Sequence, residues 1–191
     1  MNLDEDQKLI RKVLNGNPQA FEELMKKYES RIYNYILRMV REREAATELT
    51  QEFFLKIYRM LSTYNFIYKF STWSYRICYN LVIDHLRRDR MKVSSMENDI
   101  IRHQVHKEQA NTPEKTDIEA LEKQELRQLV WDAIGRIPPK YRELILLRYL
   151  GEKKYHEIAQ ISNLPLGTIK NRIFKAKNLL RQEIKKYGLL E

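Results

Sequence analysis

The sequence predicts an all-α fold of two small helical domains joined by a flexible linker. Apolar residues recur at helical spacing through both ends of the chain. Only five glycines and five prolines occur in 191 residues, too few for a turn-rich β fold. Between residues 93 and 116 the apolar period lapses into a polar stretch, "VSSMENDIIRHQVHKEQANTPEKT". The expected units are therefore 1–92, a linker over 93–116, and 117–191.

The elements follow in order. A short helix is expected near 3–14, closed by the turn "NGNP" at Asn15 to Pro18. Pro18 suits the first turn of a second helix, which carries Phe21, Leu24, Met25, Tyr28, Ile32, Tyr35 and Ile36 on its apolar stripe. A third helix spans about Ala45 to Leu61 and a fourth about Ser71 to Arg90, with the aromatic loop "STYNFIYKF" between them. Beyond the linker, Thr116 and Glu119 have capping-box spacing and open a helix near 117–136, which "IPPK" ends. Further helices are expected at about 139–150, 153–161 and 165–187.

Lys and Arg outnumber Asp and Glu by 35 to 26, a net charge of +9 that suits a polyanionic partner, nucleic acid before a membrane surface. A basic soluble protein with no anionic ligand is the plain alternative. A single cysteine, Cys78 in "YRICYN", excludes an intramolecular disulfide and a zinc cluster, and its apolar neighbours make it a buried structural thiol. No apolar run is long enough to span a membrane and "MNLDEDQKLIRK" is not a signal peptide, so a cytoplasmic protein is expected. The histidines, His85, His103, His106 and His156, are scattered, without a carboxylate cluster or Gly-rich phosphate loop. Neither an enzymatic site nor a cofactor is expected.

"YHEIAQISNLPLGTIKNRIFKAKNLL" has the layout of a helix-turn-helix, with a turn over Ser162 to Leu164 and a second helix opening at Pro165. Ala159 lets the two helices approach, and Leu164 and Ile169 plug their core. On a helical wheel Ile169, Ile173, Ala176 and Leu180 form the buried stripe. Lys170, Asn171, Lys175 and Asn178 lie opposite, with Phe174 among them. A major groove admits such a helix, where Lys170, Asn171 and Lys175 can donate to bases and phosphates and an exposed Phe174 can meet a thymine methyl. Packing of Phe174 on another part of the protein is the competing reading. Lys177, Arg181, Lys185 and Lys186 extend the positive surface toward phosphates.

In the N-terminal arm, "ATELTQEFFLKIYRML" has two apolar faces. Leu49, Phe53, Ile57 and Met60 make a core face; Gln51, Phe54, Leu55 and Tyr58, with Glu48 at the edge, resemble an interface. Burial between two neighbouring helices is the alternative. Rings then concentrate at Tyr58, Tyr64, Phe66, Tyr68, Phe70, Trp73, Tyr75 and Tyr79, followed by the basic "HLRRDRMK". Stacking rings beside cations suit unpaired bases. Most of these rings must be core, and only the loop members and Trp73 are expected at the surface. Arg76, Asn80, Asp84 and Arg87 form a polar stripe on the fourth helix, either an ion-pair ladder or a base-reading edge through Asn80.

These segments resemble a bacterial RNA polymerase sigma factor of the extracytoplasmic-function (ECF, group 4) class. "ATELTQEFFLKIYRML" looks like region 2.2 of that family, and "FSTWSYRICYNLVIDHLRR" like regions 2.3 to 2.4. "IPPKYRELILLRYLGEKKYHEIAQISNLPLGTIKNRIFKAKNLLRQEI" looks like region 4, with no region 3 domain between. The resemblance implies a sigma region 2-like bundle and a region 4-like helix-turn-helix domain, acting with core RNA polymerase and promoter DNA. Glu48, Gln51, Phe54, Leu55 and Tyr58 would meet the polymerase clamp. The loop with Tyr64, Asn65, Phe66, Tyr68 and Lys69, beside Trp73, would capture a flipped base of the minus-10 element. Asn80, Arg87 and Arg88 would engage its upstream edge. Thr168, Lys170, Asn171, Phe174 and Lys175 would read the duplex minus-35 element. An anti-sigma factor is a further candidate partner. Two positions depart from the family's pattern: Glu48 stands where Asp is usual, and Arg76–Ile77 stand where primary sigma factors carry tandem tryptophans. The competing readings are a helix-turn-helix regulator whose N-terminal arm dimerises or senses a signal, and a nucleic-acid enzyme such as a recombinase, for which no catalytic set is found.

Overall fold

The computed structural model describes residues 4–95 and 118–188. The linker expectation and the Thr116–Glu119 capping box fall outside them, wholly or in part. Among the described residues there are helices and turns but no strand. The chain runs α1 (Glu5–Leu14), α2 (Pro18–Val40), α3 (Arg43–Met60), a short 3-10 turn (Leu61–Thr63), α4 (Phe70–Ser95), α5 (Ile118–Arg136), α6 (Pro139–Tyr149), α7 (Tyr155–Ser162) and α8 (Leu166–Lys185).

Local chemistry sets the ends. Asp4 caps α1 by accepting from the Gln7 amide at 2.9 Å, and Asn17 caps α2 by accepting from Ala20, with Pro18 as the first helical residue. Glu42 caps α3 through the Glu44 and Ala45 amides, starting it two residues before the expected Ala45. Helix α4 runs five residues past the expected Arg90. That extension, Met91 to Ser95, is too short to show a period of its own; it continues a helix already nucleated, for which each added residue costs little.

In the N-terminal arm α2 lies against α1, α3 and α4, burying Leu24, Tyr28, Ile32, Tyr35 and Ile36 along its expected stripe and Met39 beyond it. Phe21 and Met25 are only partly covered. Cys78 is fully buried, and burial raises its thiol pKa, which keeps it protonated and unreactive. In the C-terminal arm α8 packs on α5, α6 and α7.

The two arms do not stand apart. Helix α4 packs along α7, the end of α2 meets α6, and one apolar cluster runs through both arms. An added Cβ at Gly151 would lie 2.9 Å from the Leu147 carbonyl and 3.2 Å from the Tyr75 ring, so glycine suits this turn and lets Tyr75 approach closely. Polar groups complete the contact. The Thr72 hydroxyl donates to Glu157 Oε1 at 2.9 Å, and Tyr79 Oη donates to Glu143 Oε1 at 3.4 Å. Buried Arg142 donates to the Met39 carbonyl at 3.1 Å and to Gly135 and Ile137 in its own arm. One cation thereby satisfies carbonyls at the C-terminal end of α2, where the helix dipole favours positive charge. Arg41, left-handed at φ 64, reaches the Gly135 carbonyl at 3.2 Å.

Candidate functional site

The helix-turn-helix geometry arises from a short turn. Asn163 ends α7 in the left-handed region at φ 53, which asparagine tolerates, and Pro165 precedes the first residue of α8. Ile158 and Ile161 of α7 meet Ile169, Ile173 and Ala176 of α8 in the core. Ala159, Leu164 and Leu180, expected in that core, are only partly buried at its margin. The opposite face of α8 is open. Lys170, Asn171 and Lys175 are exposed, Thr168 is half-buried, and Phe174 is 69% exposed. Phe174 therefore does not pack into the protein. Lys175 Nζ lies 5.7 Å from the centre of the Tyr141 ring, which fixes a cation beside Phe174.

On α3, Glu48, Gln51, Leu55 and Tyr58 are exposed together, with Tyr58 edge-on to Phe21 at 4.9 Å. Phe54 departs from the expected outer face. It is buried against Phe53, with Leu24, Met25 and Tyr28 of α2 lining the same apolar recess. The core stripe of α3 is wider than one wheel face because α2 crosses it, so Ala46, Thr50 and Phe54 are covered as well.

The aromatic loop is divided. Tyr64 and Phe70 are buried, correcting the expectation that the loop rings lie at the surface; Phe66 and Trp73 are half-buried. Tyr64 stacks among Phe66, Phe70 and Trp73 at 5.0 to 5.7 Å, so the rings hold one another and the loop's inner side is a core. Its outer side presents Asn65, Ile67, Tyr68 and Lys69, with Ile67 76% exposed. Ile67 was not singled out from the sequence, although an isoleucine amid polar loop residues marks it. On α4, Asn80, Arg87 and Arg88 face solvent, and Arg87 pairs with Asp84 at 3.1 Å.

Charged groups buried between the arms also escaped sequence reasoning. Burial pushes the Glu143 carboxyl up to about 7, against the opposing pull of Arg172 and the Tyr79 hydrogen bond. Burial brings Lys153, whose ammonium lies 4.8 Å from the Tyr75 ring centre, down to about 8. For Glu157 burial acts upward, but the Lys154 amide and the Thr72 hydroxyl outweigh it and lower the pKa. Among the described residues no cluster of His, Cys, Asp and Glu could hold a metal ion, and no helix is long and apolar enough to cross a membrane.

The Sigma-70 region 2 family model matches residues 24–91, and the Sigma-70 region 4 model matches residues 127–180. The ECF RNA polymerase sigma factor SigW of Bacillus subtilis is 32% identical over 184 residues, covering 93% of this chain and 96% of its own length. The chain belongs to the ECF sigma factors. Its function is that of a promoter-specificity factor for RNA polymerase, acting in transcription initiation. The ECF RNA polymerase sigma-E factor of Escherichia coli is 31% identical over 180 residues, 94% of either chain. Solved structures share the fold. The sigma factor RpoE of Bartonella quintana, in complex with the anti-sigma factor NepR, matches 86% of this sigma factor and 96% of its own chain with a TM-score of 0.68 at 19% identity. CnrH, in complex with the cytosolic domain of CnrY, covers 96% and 99% with a TM-score of 0.69 at 18% identity.

Proposed function

We propose that this sigma factor docks on core RNA polymerase through the exposed side of α3, with Glu48, Gln51, Leu55 and Tyr58 as contacts and Phe54 as their buried support. Residues 117–191 form the unit that reads a duplex minus-35 element through Thr168, Lys170, Asn171, Phe174 and Lys175. Residues 1–92 form the unit that takes an opened minus-10 strand, with the outer loop of Asn65, Tyr68 and Lys69 receiving a base. Asn80, Arg87 and Arg88 lie along the strand, while Tyr64, Phe66 and Trp73 form the floor beneath the loop. The chain supplies recognition and leaves the chemistry to the polymerase, so it is not an enzyme by itself, and it works in the cytoplasm. The complex of a related fold, RpoE of Bartonella quintana, with the anti-sigma factor NepR supports a protein regulator of that kind.

The exposed Phe174 among Lys170, Asn171 and Lys175 carries this reading: a large ring left in water on a basic helix face suits a major groove, where apolar contact with thymine is available. Bridging two elements also requires the arms to part. Positions about 25 base pairs apart are on the order of 85 Å apart along B-form DNA at ~3.4 Å per pair. Arms packed together through Tyr75, Gly151 and Arg142 cannot occupy both. The test is run-off transcription from a pool of promoter-like duplexes by core polymerase with and without this chain. Transcripts that depend on the chain, from templates sharing a split, asymmetric site, are expected. A two-fold symmetric site bound without polymerase would instead favour the dimerising regulator.

A further inference from the structure

Helix α1 carries no motif, yet one of its residues reaches the loop of Tyr64 to Lys69. Gln7 lies one turn before Ile10, on the stripe that α1 buries, and is itself only 8% exposed. Its amide Nε2 donates to the Phe66 carbonyl at 2.7 Å and lies 3.5 Å from the Tyr68 carbonyl and 3.4 Å from Tyr64 Oη. Tyr64 Oη in turn donates to the Tyr68 carbonyl. One turn along the same helix, the Arg11 guanidinium sits 5.3 Å from the centre of the Phe66 ring. The loop's other internal ties are the Asn65 Oδ1 bond from the Ile67 amide at 3.0 Å and the bond from the Tyr68 amide to the Asn65 carbonyl at 3.1 Å.

We infer that Gln7 is a positioning residue for base selection: it fixes the inward carbonyls of Phe66 and Tyr68, and so sets the shape of the pocket that Asn65, Ile67 and Tyr68 present to an extruded minus-10 base. The physical reason is that the loop has no ladder or helix to define it. Its inward carbonyls are partly buried, and a carbonyl turned from water without a donor is costly. A primary amide can serve more than one of them from a single nitrogen, which a carboxylate or an aliphatic side chain cannot. A loop held in this way is pre-organised for one base shape, whereas a released loop accepts several. Arg11 adds to the brace by covering Phe66 from the α1 side.

This inference rests on the reading of the loop as the base-capturing element, and the experiment separates the two. Holoenzyme carrying the full chain selects promoters from a duplex pool randomised over both elements, and sequencing gives the preference at each position. Tyr68→Ala and Asn65→Ala identify the minus-10 position that the loop reads. Gln7→Glu, equal in size but lacking the donor, and Gln7→Met, lacking both polar atoms, are compared with wild type at that position. The expected result is that the ratio of best to worst base there falls about fivefold, the effect of one hydrogen bond, while preferences in the minus-35 element keep their wild-type ratios. A purely structural role would lower all selection in parallel and leave the ratios intact, which would overturn the inference. So would wild-type ratios at that position in both Gln7 variants. If Tyr68→Ala and Asn65→Ala move no position, the base-capture reading fails and the inference falls with it. In a Trp131→Phe background, the fluorescence of Trp73, 5.3 Å from Tyr64, gives an independent readout of the loop. It should change in both Gln7 variants while helicity does not, and an unchanged spectrum counts against the brace.

Discussion

Replacing Thr72 by Val removes one hydroxyl from the contact between the arms and little else. The Thr72 side chain is buried at the start of α4, and its hydroxyl donates to Glu157 Oε1 on α7 at 2.9 Å. Glu157 keeps its other role, since Oε2 still accepts from the Lys154 amide at 2.8 Å and caps α7. A hydrogen bond to a charged acceptor contributes about 1.5 kcal/mol net at the low end of its range, which is about tenfold in the docking equilibrium. Separating the arms exposes less surface than unfolding them, so a urea dependence of ~1 kcal/mol per M, the low end for small domains, is appropriate, and the midpoint for separation should fall by roughly 1.5 M. Dyes attached through Lys12→Cys and Gln182→Cys, both at exposed positions, report separation by loss of energy transfer, and Cys78 is too buried to label. Circular dichroism on the same samples reports helix loss. Equal energy-transfer midpoints in variant and wild type would refute the assigned strength of this bond. Energy transfer and helicity lost together in both proteins would refute a docking step distinct from unfolding.

Three further outcomes follow from the same geometry. Docking should be weakest between about pH 7 and 8. Glu143 titrates near 7 when docked against 4.5 ordinarily, so the docked form holds the extra proton and docking weakens as pH rises from 4.5 to 7, by at most on the order of 3 kcal/mol. Lys153 titrates near 8 against 10.5, so the docked form holds fewer protons and docking recovers as pH rises from 8 to 10.5. Glu143→Gln should flatten the acid limb of the energy-transfer midpoint while Tyr79, Arg172 and Tyr35 remain around it. Phe174→Ala should lose discrimination between thymine and uracil at one minus-35 position, a several-fold effect if one methyl contact is worth ~1 kcal/mol; equal responses of both proteins in a thymine-to-uracil scan would remove the groove-facing role. Tyr58→Ala should weaken core polymerase binding by about 2 kcal/mol with the melting temperature nearly unchanged, whereas Phe54→Ala should cost ~3–5 kcal/mol of stability. The reverse pattern, read by pull-down and thermal melts, would exchange their roles.

Much of this was legible in the chain alone, because helices are local. Periodicity and caps are set within a few residues, so the succession of helices, the turn at Asn15 to Pro18 and the buried stripe of α8 follow from spacing. The position of Phe174 opposite that stripe follows for the same reason, but only the structure decided that no other part of the protein covers the ring. Where two neighbours cover a helix, the wheel fails. Phe54 lies on the outer side of α3 by spacing, but the crossing of α2 buries it, and Tyr64 lies in a loop by spacing yet packs among Phe66, Phe70 and Trp73. Polar residues that act at a distance gave no local signal. Gln7 meets a loop 57 to 61 residues away, Thr72 meets Glu157 across 85, and Arg142 meets Met39 across 103. Hydrogen bonds of that separation leave no period in the sequence, since each partner is an ordinary polar residue until the backbone brings the other within 3.5 Å. The sequence by itself therefore determined the helices, the basic face of α8 and the family, all properties of neighbouring residues. The tertiary structure alone decided which rings are core, how α1 holds the loop, and that the two arms meet.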